Sequence, residues 1–186
     1  MSSVKCATIQ NTSGKTYVTS IGIQAGAILQ VQQYSYTSVY EDTVQNTEQN
    51  LPGVLGDGTA SITLNNTKSR ILFTAVIQNG QEDTWRGNFY RTYYGFSSGG
   101  VTSQFFGGFG GLSYIASNNG GLITNITEYL LPCLNTASTV YFKMTRTGHA
   151  NGGYIHLNQN NTTNSTAANN QISCSSHIIL KEIYAP

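Results

Sequence analysis

RILFTAVIQ, running from Arg70 to Gln78, is the strongest apolar stretch of the chain, and it stops on the turn pair Asn79-Gly80. Its β-branched and aromatic residues and its length suit a strand, and Asn-Gly suits a tight turn. Upstream, ASITL (Ala60 to Leu64) closes on the turn-prone NNTKS. AILQVQQYSY (Ala27 to Tyr36) sets Leu29 and Val31 against Gln30 and Gln32, the alternation of a half-buried strand. KTYVTSI (Lys15 to Ile21) alternates too, with Tyr17, Thr19 and Ile21 on one face. Downstream, TWRGNFYRTYYG (Thr84 to Gly95) is aromatic and strand-like, and GLITNITEYLL (Gly121 to Leu131) follows. TVYFKMTRT (Thr139 to Thr147) puts Val140, Phe142 and Met144 on one face, with Tyr141, Lys143 and Thr145 on the other. GGYIHLNQNN (Gly152 to Asn161) and SHIILKEIY (Ser176 to Tyr184) complete the series.

Between Ser97 and Gly121, pairs of Gly alternate with Phe and Tyr, a composition for close backbone approach or for a long loop. No stretch of a dozen residues carries apolar side chains at helical spacing. About nine strands without helices predict an all-β chain, a two-sheet antiparallel β-sandwich of jelly-roll type. We expect one domain over residues 1–186, with an N-terminal arm over about residues 1–14. The absence of an internal repeat argues against a propeller or solenoid.

Only 9% of the residues are charged, against about a quarter in an ordinary soluble domain. The formal charge is +1 and no basic run exists, which argues against nucleic acid as a partner. So little net charge permits close association with identical neighbours. The longest apolar runs fall far short of the ~20 residues that cross a bilayer, so membrane insertion is not expected, and MSSVKCATIQ lacks the apolar core of a secretory signal. Cys6, Cys133 and Cys174 are odd in number and widely spaced, and read as small buried hydrophobes rather than a metal or disulfide framework.

Candidate chemistry is sparse. The carboxylates, among them Glu82, Asp83 and Glu128, read as solvating and turn-forming groups rather than a glycosidase pair. Glu182, set in an apolar strand, is expected on the solvent face or in an ion pair with Lys181 or Arg70. His149, His156 and His177 are expected to be hydrogen-bonded singly, and no nucleophile or phosphate-loop motif is present. No catalytic residue, metal or cofactor is therefore expected. The best binding patch is Trp85, Arg86, Tyr90, Arg91, Tyr93 and Tyr94, with Phe96 beside them. Aromatic rings with neutral polar neighbours suit sugar rings, and they equally suit a subunit interface. The interface is the favoured alternative.

Three stretches carry a resemblance. They are Gly26, Leu29, Gln30 and Val31 in GAILQVQQYSY, then Ser69, Ile71 and Leu72 in ITLNNTKSRILFTAVI. The third is Ser175, Ser176, Ile178, Leu180, Glu182 and Ile183 in SSHIILKEI. In this order they resemble small structural proteins of tailed phages, especially marine and cyanobacterial ones. The resemblance implies a virion protein with a jelly roll like that of tumour necrosis factor, commonly a homotrimer. Such domains serve as capsid decorations, tail or fibre tips, and host-attachment knobs that touch other virion proteins or a host surface glycan. Heptads and Gly-x-y triplets are missing, so a compact knob or decoration fits better than a full tail fibre.

Overall fold

The computed structural model describes residues 9–10, 16–18, 25–42, 46–80, 86–99, 104–113, 122–148, 155–158 and 174–185. Among the described residues the elements are nearly all strands. They begin with β1 (Ile9–Gln10), β2 (Thr16–Val18), β3 (Ile28–Tyr36), β4 (Tyr40–Asp42) and β5 (Glu48–Asn50). After one turn of 3-10 helix (Gly53–Leu55) come β6 (Ala60–Thr63), β7 (Arg70–Gly80), β8 (Arg86–Gly95) and β9 (Gln104–Ser113). β10 (Leu122–Leu130), β11 (Thr139–Gly148), β12 (Ile155–Leu157) and β13 (Ser176–Ile183) follow. β1 and β2 pair only with each other, and the remainder form two antiparallel sheets.

The register shows how the sheets are wound. On one side of β7 lies β10, paired from Leu72 to Gly80. The other side is shared by β13 along Arg70 to Val76 and β12 at Asn79 and Gly80, so β12 and β13 lie in line. They pair outward with β4 and β3, which are also in line. In the second sheet β8 takes one side of β11, and β5 and β6 share the other. β9 then pairs with β8. Counting in-line strands together, the chain pairs first with last, second with seventh, third with sixth and fourth with fifth. It is one long hairpin wrapped into two sheets, the winding of a jelly roll.

Strand alternation fills the space between the sheets. Ile71, Phe73, Ala75 and Ile77 of β7 and Ile178 and Leu180 of β13 face Val140, Phe142 and Met144 of β11, all fully buried. Phe73 and Phe142 stack across the gap with ring centroids 5.5 Å apart. Phe106 of β9 meets Phe73 edge-on at 5.1 Å and Tyr129 of β10 at 5.7 Å. The Gly-rich segment was ambiguous in the sequence; its residues 104–113 form a strand because Gly lets the sheets close there. A Cβ on Gly107 would lie 2.3 Å from the Tyr129 ring, and Gly110 has φ +101 with Asn88 O 2.3 Å from where its Cβ would be.

Two expectations are corrected. Glu182 is neither on the solvent face nor in an ion pair with Lys181 or Arg70: it is fully buried. It accepts hydrogen bonds from Asn65 N (2.8 Å), Asn65 Nδ2 (2.7 Å) and Gln30 Nε2 (2.8 Å). That need for donors turns β3 over. Gln30 stands opposite Glu182 and directs its amide inward, while Val31 is outward and 52% exposed.

Each end of the sandwich is thereby joined by polar groups. At the Glu182 end, Gln30 Nε2 also donates to Thr63 O, and Tyr34 Oη donates to Ser61 O at 2.6 Å, so β3 and β13 are tied to β6 and the turn after it. At the other end of β11, buried Arg146 pairs with Asp42 of β4 and reaches Asn88 Oδ1 at 3.3 Å. Between the in-line strands sits buried Asn158, at φ 61. Its Nδ2 donates to Tyr36 O and Ser38 O, and its Oδ1 accepts from Ser176 Oγ, replacing the ladder bonds lost where the strands break.

Candidate binding groove

β8 distributes the predicted patch over both of its faces. Tyr90 is buried and its ring packs against Phe109 at 5.2 Å; burial pushes its hydroxyl pKa far upward. Tyr94 belongs to the core aromatic cluster, 5.9 Å from Phe106 and 6.4 Å from Phe142. Arg91 and Tyr93 point outward instead, in register with Gly108 and Phe105 of β9. Of Arg86 only the backbone, at the start of β8, is described, and Trp85 lies outside the described residues. Outward Phe89 joins Arg91 and Tyr93 on the exposed face.

Of these outward residues Phe89 and Arg91 border an open groove of about 270 Å³ lined by Phe89, Tyr90, Arg91, Phe105, Gly108, Phe109 and Gly110. Its floor has no side chains where Gly108 and Gly110 stand opposite Arg91 and Phe89. Phe105 leans over that floor, with ring carbons 3.8 Å from where a Gly108 Cβ would be. Phe89 is 43% exposed and Phe105 58%. The sequence patch did not include Phe89, Phe105 or Phe109; the signal lay in FFGGFGG, where large and absent side chains alternate.

The rim is polar and charge-balanced. Glu48 of β5 accepts from Arg91 Nη1 (2.5 Å), Tyr93 Oη (2.6 Å) and Thr145 Oγ1 (2.5 Å). Partial burial would raise its carboxyl pKa, but these bonds and the Arg91 charge outweigh it and hold the group below its usual value. Burial, and then the bond to Glu48, raise the pKa of Tyr93, and Lys143 Nζ sits 5.7 Å from that ring's centroid. The network holds Arg91 and Tyr93 in place.

The opposite outer face, that of the first sheet, mixes aliphatic and polar side chains. The register aligns Leu130, Leu72, Lys181 and Val31 across it, then the more polar row Glu128, Thr74, Ile179 and Gln33, and beyond that Ile126, Val76, His177 and Ser35. Ile126 is 65% exposed. His177 bonds Ser35 Oγ (2.9 Å) and Ser175 Oγ (2.8 Å), and His156 faces Glu41 at 3.3 Å; His149 lies outside the described residues. Cys133 and Cys174 are free, partly buried thiols, and Cys6 is not among the described residues. Among the described residues, no group of three His, Cys, Asp or Glu is placed to hold a metal ion.

No protein-family model matches the chain, and neither does any curated protein. Among solved structures it is similar to that of the infectious bursal disease virus Gx strain, at 8% identity and a TM-score of 0.43, over 90% of this chain and 37% of that one. It is also similar to the infectious bursal disease virus VP2 subviral particle, at 10% identity and a TM-score of 0.37, over 85% of this chain and 34% of that one. The chain thus spans about a third of the length of each. With so few identical residues, nothing of the groove carries across from either.

Proposed function

We propose that the protein is a virion structural component of a tailed phage. It works as a self-assembling jelly roll on the particle surface, as a capsid decoration, a knob, or a tail or fibre-tip part. One observation carries the reading: the three stretches behind the phage resemblance, far apart in sequence, are adjacent strands. They lie on β3, β7 and β13, with β13 in the middle. Gln30 and Glu182 from two of them are hydrogen-bonded, with buried Ser69 from the third alongside. Gly26, at φ +86, donates to Tyr184 O and closes β3 onto β13. The shared residues therefore build one structural unit rather than three unrelated strand patterns.

The role is mechanical rather than catalytic. An outer face whose charged groups are few, Glu41, Arg70, Glu128 and Lys181, can be buried against a neighbour with modest desolvation, and a homotrimer is the assembly we assign to it. Binding of a host-surface glycan is a second reading, favoured by the exposed aromatic rings of the groove. Light scattering on the purified protein, alone and with particles, tests the first. A trimer that attaches to particles is the expected result, and a monomer with no affinity for them would overturn it.

A further inference from the structure

We propose that the groove between Phe89 and Phe105 is a subsite for one neutral pyranose ring. The inference deepens the glycan reading and rests on it for the class of ligand, while the residues come from the geometry alone. The volume, about 270 Å³, lies just under the ~300 Å³ at which sites for larger ligands begin, so it suits a single ring. Phe105 and Phe89 offer aromatic faces on which the C–H side of a sugar can stack. The floor at Gly108 and Gly110 lets that ring approach the backbone.

The rim decides between occupants. A guanidinium carries five N–H donors, more than the carboxylate of Glu48 uses, and sugar hydroxyls can accept from the rest. An apolar side chain from a second copy would bring no acceptors to them. Neutrality follows from the same pair: Glu48 already balances Arg91, so an anionic sugar would gain little and would meet the carboxylate's repulsion. Glu48 also fixes Arg91 in advance, which reduces the ordering needed on binding.

The test is saturation-transfer NMR on the intact protein with methyl glycosides of neutral hexoses and N-acetylhexosamines, and with a glucuronide, at millimolar concentration. We expect contact from the ring C–H protons of a neutral glycoside, weakened about tenfold (about 1.4 kcal/mol) in Phe105→Ala. Phe89→Ala, also at an exposed ring, should weaken it too and guards against a folding defect in the first variant. Binding that survives both substitutions would overturn the subsite and leave the glycan reading standing. No binding of any glycoside would overturn both, and preference for the glucuronide would overturn the neutral assignment. Loss of self-association without change in sugar contact would make the groove an interface instead.

Discussion

The two ends of the sandwich bury a charge in different ways. Arg146 is held by an opposite charge, Asp42, on the facing sheet, with Asn88 Oδ1 as a further acceptor. Glu182 receives only neutral donors, from Gln30 and the Asn65 side chain and backbone. In the first arrangement the two ions lean on each other, because removing either takes away the opposite charge that offsets the other's burial. The second spreads the charge over several dipoles, so no single donor is indispensable, but the carboxylate must stay ionised. The contrast assigns the ends distinct failure modes, one by substitution and one by acid.

The largest expected effect is at the ion-paired end: Arg146→Ala should cost about 3–5 kcal/mol in chemical denaturation, since it removes the buried opposite charge beside Asp42. Replacing both members with apolar residues, Arg146→Met with Asp42→Leu, should recover most of that. A single variant as stable as wild type would remove the distinction. At the other end Glu182→Ala should cost about 1–3 kcal/mol by orphaning buried donors, and Glu182→Gln less, because an amide oxygen can still accept.

Acid sharpens the comparison further. Burial raises the Glu182 carboxyl pKa, but hydrogen bonds from Gln30 and Asn65 outweigh it, so the folded value lies below the unfolded one. Its contribution is therefore complete above the unfolded carboxylate pKa and is lost as pH falls through the folded value. Wild type should lose stability over that window, and Glu182→Gln should lose less; parallel pH profiles would contradict the assignment. Glu48, whose pKa is also lowered, adds a weaker loss of the same sign. Smallest of all, Arg91→Ala should change stability by about 0.5 kcal/mol or less, because its ion pair is half exposed. A larger loss would make the groove rim a structural element.

Much of this was legible in the chain. The alternation that puts Val140, Phe142 and Met144 inside puts Arg146 there as well, and Ile178 and Leu180 predict the inward face of Glu182 in the same way. Expecting Glu182 in solvent or in an ion pair let hydropathy override a period-two rule that buried charges also obey. The same rule, applied along TWRGNFYRTYYG, separates Tyr90 from Arg91 and so divides the patch. What no local pattern contains is the pairing of first strand with last, because register between distant segments is set by packing. The groove likewise rests on pairing between distant segments: Glu48 reaches Arg91 only because β5 and β8 flank β11.

The position of β13 also bears on how the protein is made. It is the only segment among the described residues that fills the space between β3 and β7, and it is translated after both. Until residues 176–183 leave the ribosome, the two earlier strands must wait with open hydrogen-bonding edges, for on the order of ten seconds at roughly 5–20 residues per second. Open edges invite pairing with the wrong chain. Nascent copies on one message are thus most prone to tangle in that interval, and arrival of the last strand both completes the sheet and withdraws those edges.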